Sequence, residues 1–214
     1  MKRTTFKTLI IFAFGICMSV TSFAQSFEGV IEFTKTTGPI VVTYKYIVKG
    51  DHIRIEEIGA QGEIQGVFLV DTHDRSVQAL SPERKLYMDV PNLRLPKDVN
   101  VQVNKTDEMQ IINGYQCEKW VVSSDEEDRI IEYWVANDEF DFFIPLLETL
   151  NRKDKLSVFF LQIPDAVGVF TMLGMETKLD GTEVTKLEVT KIERTENRTA
   201  IFEIPPNYNK FERN

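Results

Sequence analysis

Side chains that alternate apolar and polar at a period of two, tight turns at short intervals and one interruption at helical spacing together predict an α+β chain, mainly antiparallel β. About 10–11 strands with a single two-helix insertion are expected.

The first 24 residues stand apart. Lys2, Arg3 and Lys7 precede an apolar run over 9–20 and the small-residue ending Ser22-Phe23-Ala24. This is the pattern of a cleavable secretory signal peptide, and the run is shorter than the ~20 apolar residues a membrane span needs. Cys17 is preceded by Phe14-Gly15-Ile16, and the bulky isoleucine argues against a lipoprotein signal. The expected organisation is therefore a signal peptide over 1–24 and a single domain over 25–214, exported from the cytoplasm, with no integral span after processing.

From Phe27 onward, Phe27, Gly29, Ile31 and Phe33 share one strand face. After Gly38-Pro39, Val42, Tyr44, Tyr46 and Val48 share one face, against Thr43, Lys45 and Lys49. Gly50-Asp51 turns the chain into a strand at 52–58, and further strands follow at 65–70, 76–80 and 86–90, separated by Asp71-Thr72-His73-Asp74 and Ser81-Pro82-Glu83. These read as an antiparallel meander. A loop over 91–96 leads to short strands at 99–103 and 108–112, then to the turn Asn113-Gly114. The clearest hairpin pairs 115–123 with 129–136 around the acidic tip Ser124-Asp125-Glu126-Glu127-Asp128. Pattern alone leaves open which of Trp120, Tyr133 and Trp134 share a face.

Between 138 and 164 the alternation stops. Phe142, Phe143, Leu146, Leu147 and Leu150 recur at helical spacing, with Pro145 in the first turns, where a missing N–H is tolerated. A second helix is expected over 154–162. Strands resume at 169–179 and 182–193 across the turn Asp180-Gly181, with a short final strand at 201–204 closed by Pro205 and Pro206.

Removal of the three basic residues of the leader leaves 22 Lys and Arg against 33 Asp and Glu, a formal charge of −11. Nucleic acid is excluded as a partner, because the longest basic cluster, Arg152-Lys153-Asp154-Lys155, is broken by an acid. Cys117 becomes the single cysteine, so no internal disulfide forms, and a buried, inert thiol is expected.

Catalytic and metal chemistry find little support. His52 and His73 lie at turns, without a nucleophile elbow, and adjacent His73 and Asp74 on extended chain point apart. Cys117 sits mid-strand with no helix N-terminus to activate it. The acidic tip lacks the spaced ligands of a calcium loop and reads as a solvated turn, while Met172 and Met175 read as core filler. No catalytic residue, metal site or cofactor is expected. A hydrolase using paired carboxylates remains a third reading, since 33 acids supply pairs everywhere. Asn104-Lys105-Thr106 and Asn197-Arg198-Thr199 match the glycosylation pattern by coincidence in a chain whose leader looks bacterial.

Two blocks carry a family resemblance. Ile112-Asn113-Gly114-Tyr115-Gln116-Cys117-Glu118-Lys119-Trp120 and Glu132-Tyr133-Trp134-Val135-Ala136 resemble the I-x-G-Y-x-C-x-K-W and Y-W-A blocks of the exported DUF4412 family. The start, Phe27-Glu28-Gly29-Val30-Ile31, and the ending, Phe202-Glu203-Ile204-Pro205-Pro206-Asn207-Tyr208, look like that family's first strand and its F-x-I-P-x-x-Y close. The resemblance implies a fold similar to the periplasmic lipoprotein carriers of the LolA/LolB type: a single curved sheet or incomplete barrel, its concave face covered by the helices. Such folds serve as carriers, outer-membrane receptors and a stress sensor, so function stays open. Around 167–175 the chain is more apolar than the family pattern.

Eleven Phe, six Tyr and two Trp remain after the leader. They fill a core, or they line an apolar groove that holds a ligand. The leading expectation is a periplasmic or otherwise extracytoplasmic binding protein for a lipid, acyl chain or other apolar small molecule, lined by Tyr44, Tyr46, Phe142, Phe143, Leu146 and Leu147. The alternative is a cell-envelope interaction or sensor module with a filled core and a protein partner.

Overall fold

The computed structural model describes residues 26–91 and 98–212. The expected signal peptide and most of the expected 91–96 loop lie outside the described residues.

Two antiparallel meanders meet in the middle of one open, curved sheet. The first comprises β1 (Gly29–Thr37), β2 (Ile40–Lys49), β3 (His52–Ile58), β4 (Ile64–Asp71), β5 (Ser76–Ser81) and β6 (Leu86–Asp89). The second comprises β7 (Gln102–Ile112), β8 (Tyr115–Ser124), β9 (Arg129–Asn137), β10 (Val169–Thr177) and β11 (Glu183–Arg194), with helices α1 (Phe143–Leu150) and α2 (Lys155–Phe160) between β9 and β10. β1 joins the halves by pairing with both β2 and β11, and a two-residue β12 (Asn209–Lys210) pairs parallel to β6. The strand order is β12-β6-β5-β4-β3-β2-β1-β11-β10-β9-β8-β7.

Twelve strands among the described residues thus replace the expected ten or eleven, and two local differences have clear causes. The two short strands expected at 99–103 and 108–112 are one strand, β7, whose register against β8 slips between Lys105 and Met109. There the Thr106 hydroxyl donates to Lys119 O at 2.8 Å and accepts from Glu108 N at 3.2 Å, so a side chain stands in for ladder bonds across an irregular stretch. The strand expected at 201–204 is a 3-10 turn over Thr199–Phe202. It packs against β3, and the chain continues past Pro205 and Pro206 to β12.

The two-residue turn at Asn113-Gly114 has φ of 50° and 82°, the paired left-handed geometry that joins twisted strands tightly and that Asn-Gly supplies at little cost. In the next hairpin Trp120 lies opposite Tyr133 and both are buried, while Trp134 pairs with Lys119 on the other face.

The helices cover one face of the sheet and the C-terminal segment covers part of the other. On one, α1 and α2 pack over Ile31, Phe33, Tyr46, Val48, Ile53, Ile55, Tyr133 and Phe170, closing the main core. The aromatic rings interlock: Phe143 meets Phe160 at 5.0 Å and Phe170 at 4.6 Å, both edge-on. The Tyr133 hydroxyl donates to Leu156 O at 2.8 Å and pins α2 to β9. Gly174 marks where α2 presses closest, since a Cβ there would stand 3.2 Å from a Leu156 methyl. The apolar stretch at 167–175 follows from its place: Val169, Phe170, Thr171 and Met172 of β10 are successively buried mid-sheet.

On the opposite face the chain after β11 runs back as a strap. Lys49 Nζ donates to Asn197 O at 2.6 Å, Arg54 Nη1 to Ile201 O at 3.1 Å, and Phe211 N to Tyr87 O at 2.7 Å. Ile204 and Tyr208 of the strap cover a second cluster of Val67, Leu69 and Leu80. Asn197 spends its side-chain amide on Gly29 O and Val48 O, so this glycosylation-like asparagine is a structural tie.

Candidate functional site

The link between the helices organises the site. α1 ends at Asn151, whose left-handed φ of 44° and N–H bond to Leu147 O turn the chain sharply. Three residues on, Asp154 caps α2: its carboxylate accepts from Ser157 N at 3.2 Å and from Ser157 Oγ at 3.0 Å. A 3.0 Å ion pair from Lys35 on β1 anchors the same carboxylate. Fixed at both ends, the link lays Arg152 over the sheet beside the Tyr44 hydroxyl, its guanidinium 5.8 Å from the Phe68 ring.

A cavity lies on each side of this link. The first, about 50 Å³, is floored by Phe33, Phe143, Leu147, Leu156, Phe170 and Leu187 and rimmed by Lys35, Tyr44, Tyr46, Arg152, Asp154 and Ser157. The second, about 330 Å³, opens between α1 and β3–β5, lined by Glu57, Phe68, Val77, Val90, Pro91, Thr149, Leu150, Asn151 and Arg152. Leu150 and Arg152 line both. For scale, an engineered apolar cavity of about 150 Å³ takes a benzene molecule. The first cavity accommodates a few atoms as it stands, and the second more than a benzene.

The rim is polar and its charges are arranged unequally. Burial pushes the Asp154 carboxyl up, but the Lys35 ammonium and the Ser157 hydrogen bonds outweigh it and hold the group below its usual value. Burial pushes the Tyr46 phenol up to about 12, so it remains protonated, and Tyr44 shifts the same way for the same main cause. Arg152 has no carboxylate within the 4.0 Å of an ion pair among the described residues; Asp154 and Glu57 act on it only at longer range. Thr171, 3 % exposed and lining the first cavity, has a hydroxyl without a hydrogen-bond partner among the described residues.

Of the six expected lining residues, Tyr44, Tyr46, Phe143 and Leu147 come together around the first cavity. Phe142 and Leu146 lie behind it in the core: Leu146 is fully buried, and Phe142 packs on Phe27, Phe140 and Phe170. Arg152, Leu150 and Thr171 are not legible in sequence as site residues, although Asn151 followed by Asp154-x-x-Ser157 is a stop-and-start capping signal that locates the link.

The other chemistry-bearing residues disperse. His52 Nδ1 stands 3.4 Å from Asp71 Oδ2 at the start of β3, and His73 is exposed in the following turn. Cys117 is fully buried, and burial pushes its thiol up, away from the reactive thiolate. The acidic tip is tied down, with Glu127 paired to Lys155 at the start of α2 and Asp128 Oδ1 accepting from Leu179 N. No group of three or more metal-ligating side chains occurs, and no helix is long and apolar enough to cross a membrane, among the described residues.

Comparison with solved structures supports the architecture. An uncharacterized conserved protein from Thermus thermophilus superposes with a TM-score of 0.55 at 10% identity, covering 89% of this chain and 93% of that one. Looser overlaps, too loose to carry argument, occur with the Pseudomonas aeruginosa MucA/MucB complex and with a Vibrio parahaemolyticus domain described as a putative outer membrane lipoprotein-sorting protein. The first has a TM-score of 0.47 at 8% identity over 84% of this chain and 56% of that one. The second has a TM-score of 0.36 at 10% identity over 81% and 88%. No functionally curated protein matches the sequence. The family model described as domain of unknown function DUF4412 matches residues 27–208, most of the chain, and the chain belongs to that family.

Proposed function

We propose that this is an extracytoplasmic, non-enzymatic binding protein that holds an apolar ligand, a lipid or acyl chain, between the sheet and the α1–α2 insertion. The observation that carries this reading is the pair of cavities that share Leu150 and Arg152 in their lining. Together they offer an apolar floor and a polar rim. Tyr44, Tyr46, Phe143 and Leu147 contact the ligand, and Phe142 and Leu146 support that wall from the core. Burial of methylene groups contributes about 0.8 kcal/mol each, enough to drive binding without a polar specificity group.

Titration with the neutral apolar fluorophore N-phenyl-1-naphthylamine tests the reading. Saturable binding at one site is expected, weakened about tenfold in a Leu147→Gln variant that still melts cooperatively, since an unpaired buried amide costs on the order of 1–3 kcal/mol. Wild-type affinity in that folded variant would overturn it. Leu146 is unsuitable for the purpose, because a polar group at that fully buried position attacks the core itself.

A second reading, an envelope interaction or sensor module, is favoured by the sheet edge. β7 presents eleven residues at the end of the sheet, with Met109 and Ile111 exposed. A partner that adds a strand there would be lost on changing Ile111 to Lys, with the apolar probe unaffected.

A further inference from the structure

Three buried or half-buried arginines can be compared. Arg54 donates to Glu56 at 2.7 Å and to Ile201 O, and Arg129 donates to Glu176 at 2.7 Å. Arg152 differs: it lines both cavities and meets a phenol and a ring instead of a carboxylate. The nearby Lys35 is already paired with Asp154, which leaves Arg152, among the described residues, as the rim cation with no carboxylate at ion-pair distance, Asp154 and Glu57 acting on it only at longer range. Removing a guanidinium from water without an anion is costly, and a bidentate carboxylate is the partner its planar fork fits best. The orphaned Thr171 hydroxyl on the same cavity is a second group that awaits a polar partner.

We propose that the ligand is a single-chain amphiphile with a monoanionic head, a long-chain carboxylate, whose head group sits in the smaller cavity and pairs with Arg152 and Tyr44 while its chain passes Leu150 into the larger one. This rests on the binding reading above and adds the head-group chemistry. A single negative charge is favoured because Asp154 and Glu57 flank the position and repel a second one. The preference is local, since an exported chain of formal charge −11 repels anions in general.

The test is calorimetric titration of the wild-type protein and of Arg152→Gln with dodecanoate, dodecan-1-ol and dodecyl phosphate, each below its aggregation threshold. Wild-type protein is expected to bind dodecanoate roughly tenfold or more tighter than dodecan-1-ol, the size of a charge-assisted hydrogen bond, with dodecyl phosphate ranking below dodecanoate. In Arg152→Gln the preference for dodecanoate should vanish while alcohol binding stays, and Arg152→Lys should restore part of it. Equal wild-type binding of acid and alcohol overturns this inference and leaves the binding reading standing. Tighter binding of the phosphate overturns the monoanion assignment, and binding of none of the three overturns both readings.

Discussion

The two faces of the sheet bury their arginines differently. Beneath the strap, Arg54 lies on β3 with Glu56 and a strap carbonyl as partners, next to a small apolar cluster of Val67, Leu69 and Leu80. Beneath the helices, Arg152 lies over a far larger core, between two cavities, with no carboxylate at ion-pair distance among the described residues. The strap face is closed by its own chain, and its buried charge is used in holding that chain down. The helix face is closed by a short link tied at Asn151 and Asp154, and its buried charge is held in reserve. The difference separates an arginine that maintains the fold from one that the proposed ligand would pair.

Substitutions on the two faces sharpen or break that contrast. The largest effect should come from Leu146→Ala, which opens a cavity in the main core and costs about 4 kcal/mol, against about 1 kcal/mol for Ile204→Ala in the half-buried strap. Chemical denaturation of both variants checks the ratio; equal losses would mean the strap is as integral to the core as α1. Next, Glu56→Gln leaves half-buried Arg54 without its carboxylate, with Ile201 O as its remaining partner, at a cost of about 2 kcal/mol, whereas Arg152→Gln changes stability by less than about 1 kcal/mol. If Arg152→Gln proves the more damaging of the two, Arg152 belongs to the fold and its role in a ligand site fails.

Tyr133→Phe should cost about 1–2 kcal/mol, because Leu156 O loses its buried donor. Faster amide exchange confined to α2 would identify the loosened element. The smallest effect concerns the cap. Asp154→Ala should cost about 1 kcal/mol, while Asp154→Asn keeps the cap and loses the ion pair with Lys35. The folded carboxyl lies below its ordinary value of 3.8, so its contribution is complete above that value and is lost as pH falls through the lower folded one. Wild type should therefore lose more stability than Asp154→Asn between about pH 5 and about pH 3, and parallel losses would contradict the assignment.

Much of this architecture is written locally. Period-two patterning places β1 to β6 within a few residues, because each of these strands has a clear apolar face and a polar turn after it. Pro145 and the Phe142–Leu150 spacing locate α1 for the same reason, since both signals act within a few turns. The features that escape depend on distant chain. β7 is continuous only because Thr106 reaches Lys119 on β8, and β12 exists only because the strap brings Asn209 to the open edge of β6. The site divides in the same way. Tyr44, Tyr46, Phe143 and Leu147 are visible as large apolar side chains on identifiable faces, while Phe142 and Leu146 share that signature yet pack into the core. Arg152 reads in sequence as part of a broken basic run, and only the folded link separates it from Lys155, which pairs with Glu127.

Native mass spectrometry of protein purified without detergent, with organic extraction of the same sample, decides whether the helix face holds a ligand. The expected result is a reproducible adduct that extraction releases as a single-chain acid. A bare-chain mass that stays unchanged after incubation with dodecanoate would contradict the claim and leave the helix face as core alone.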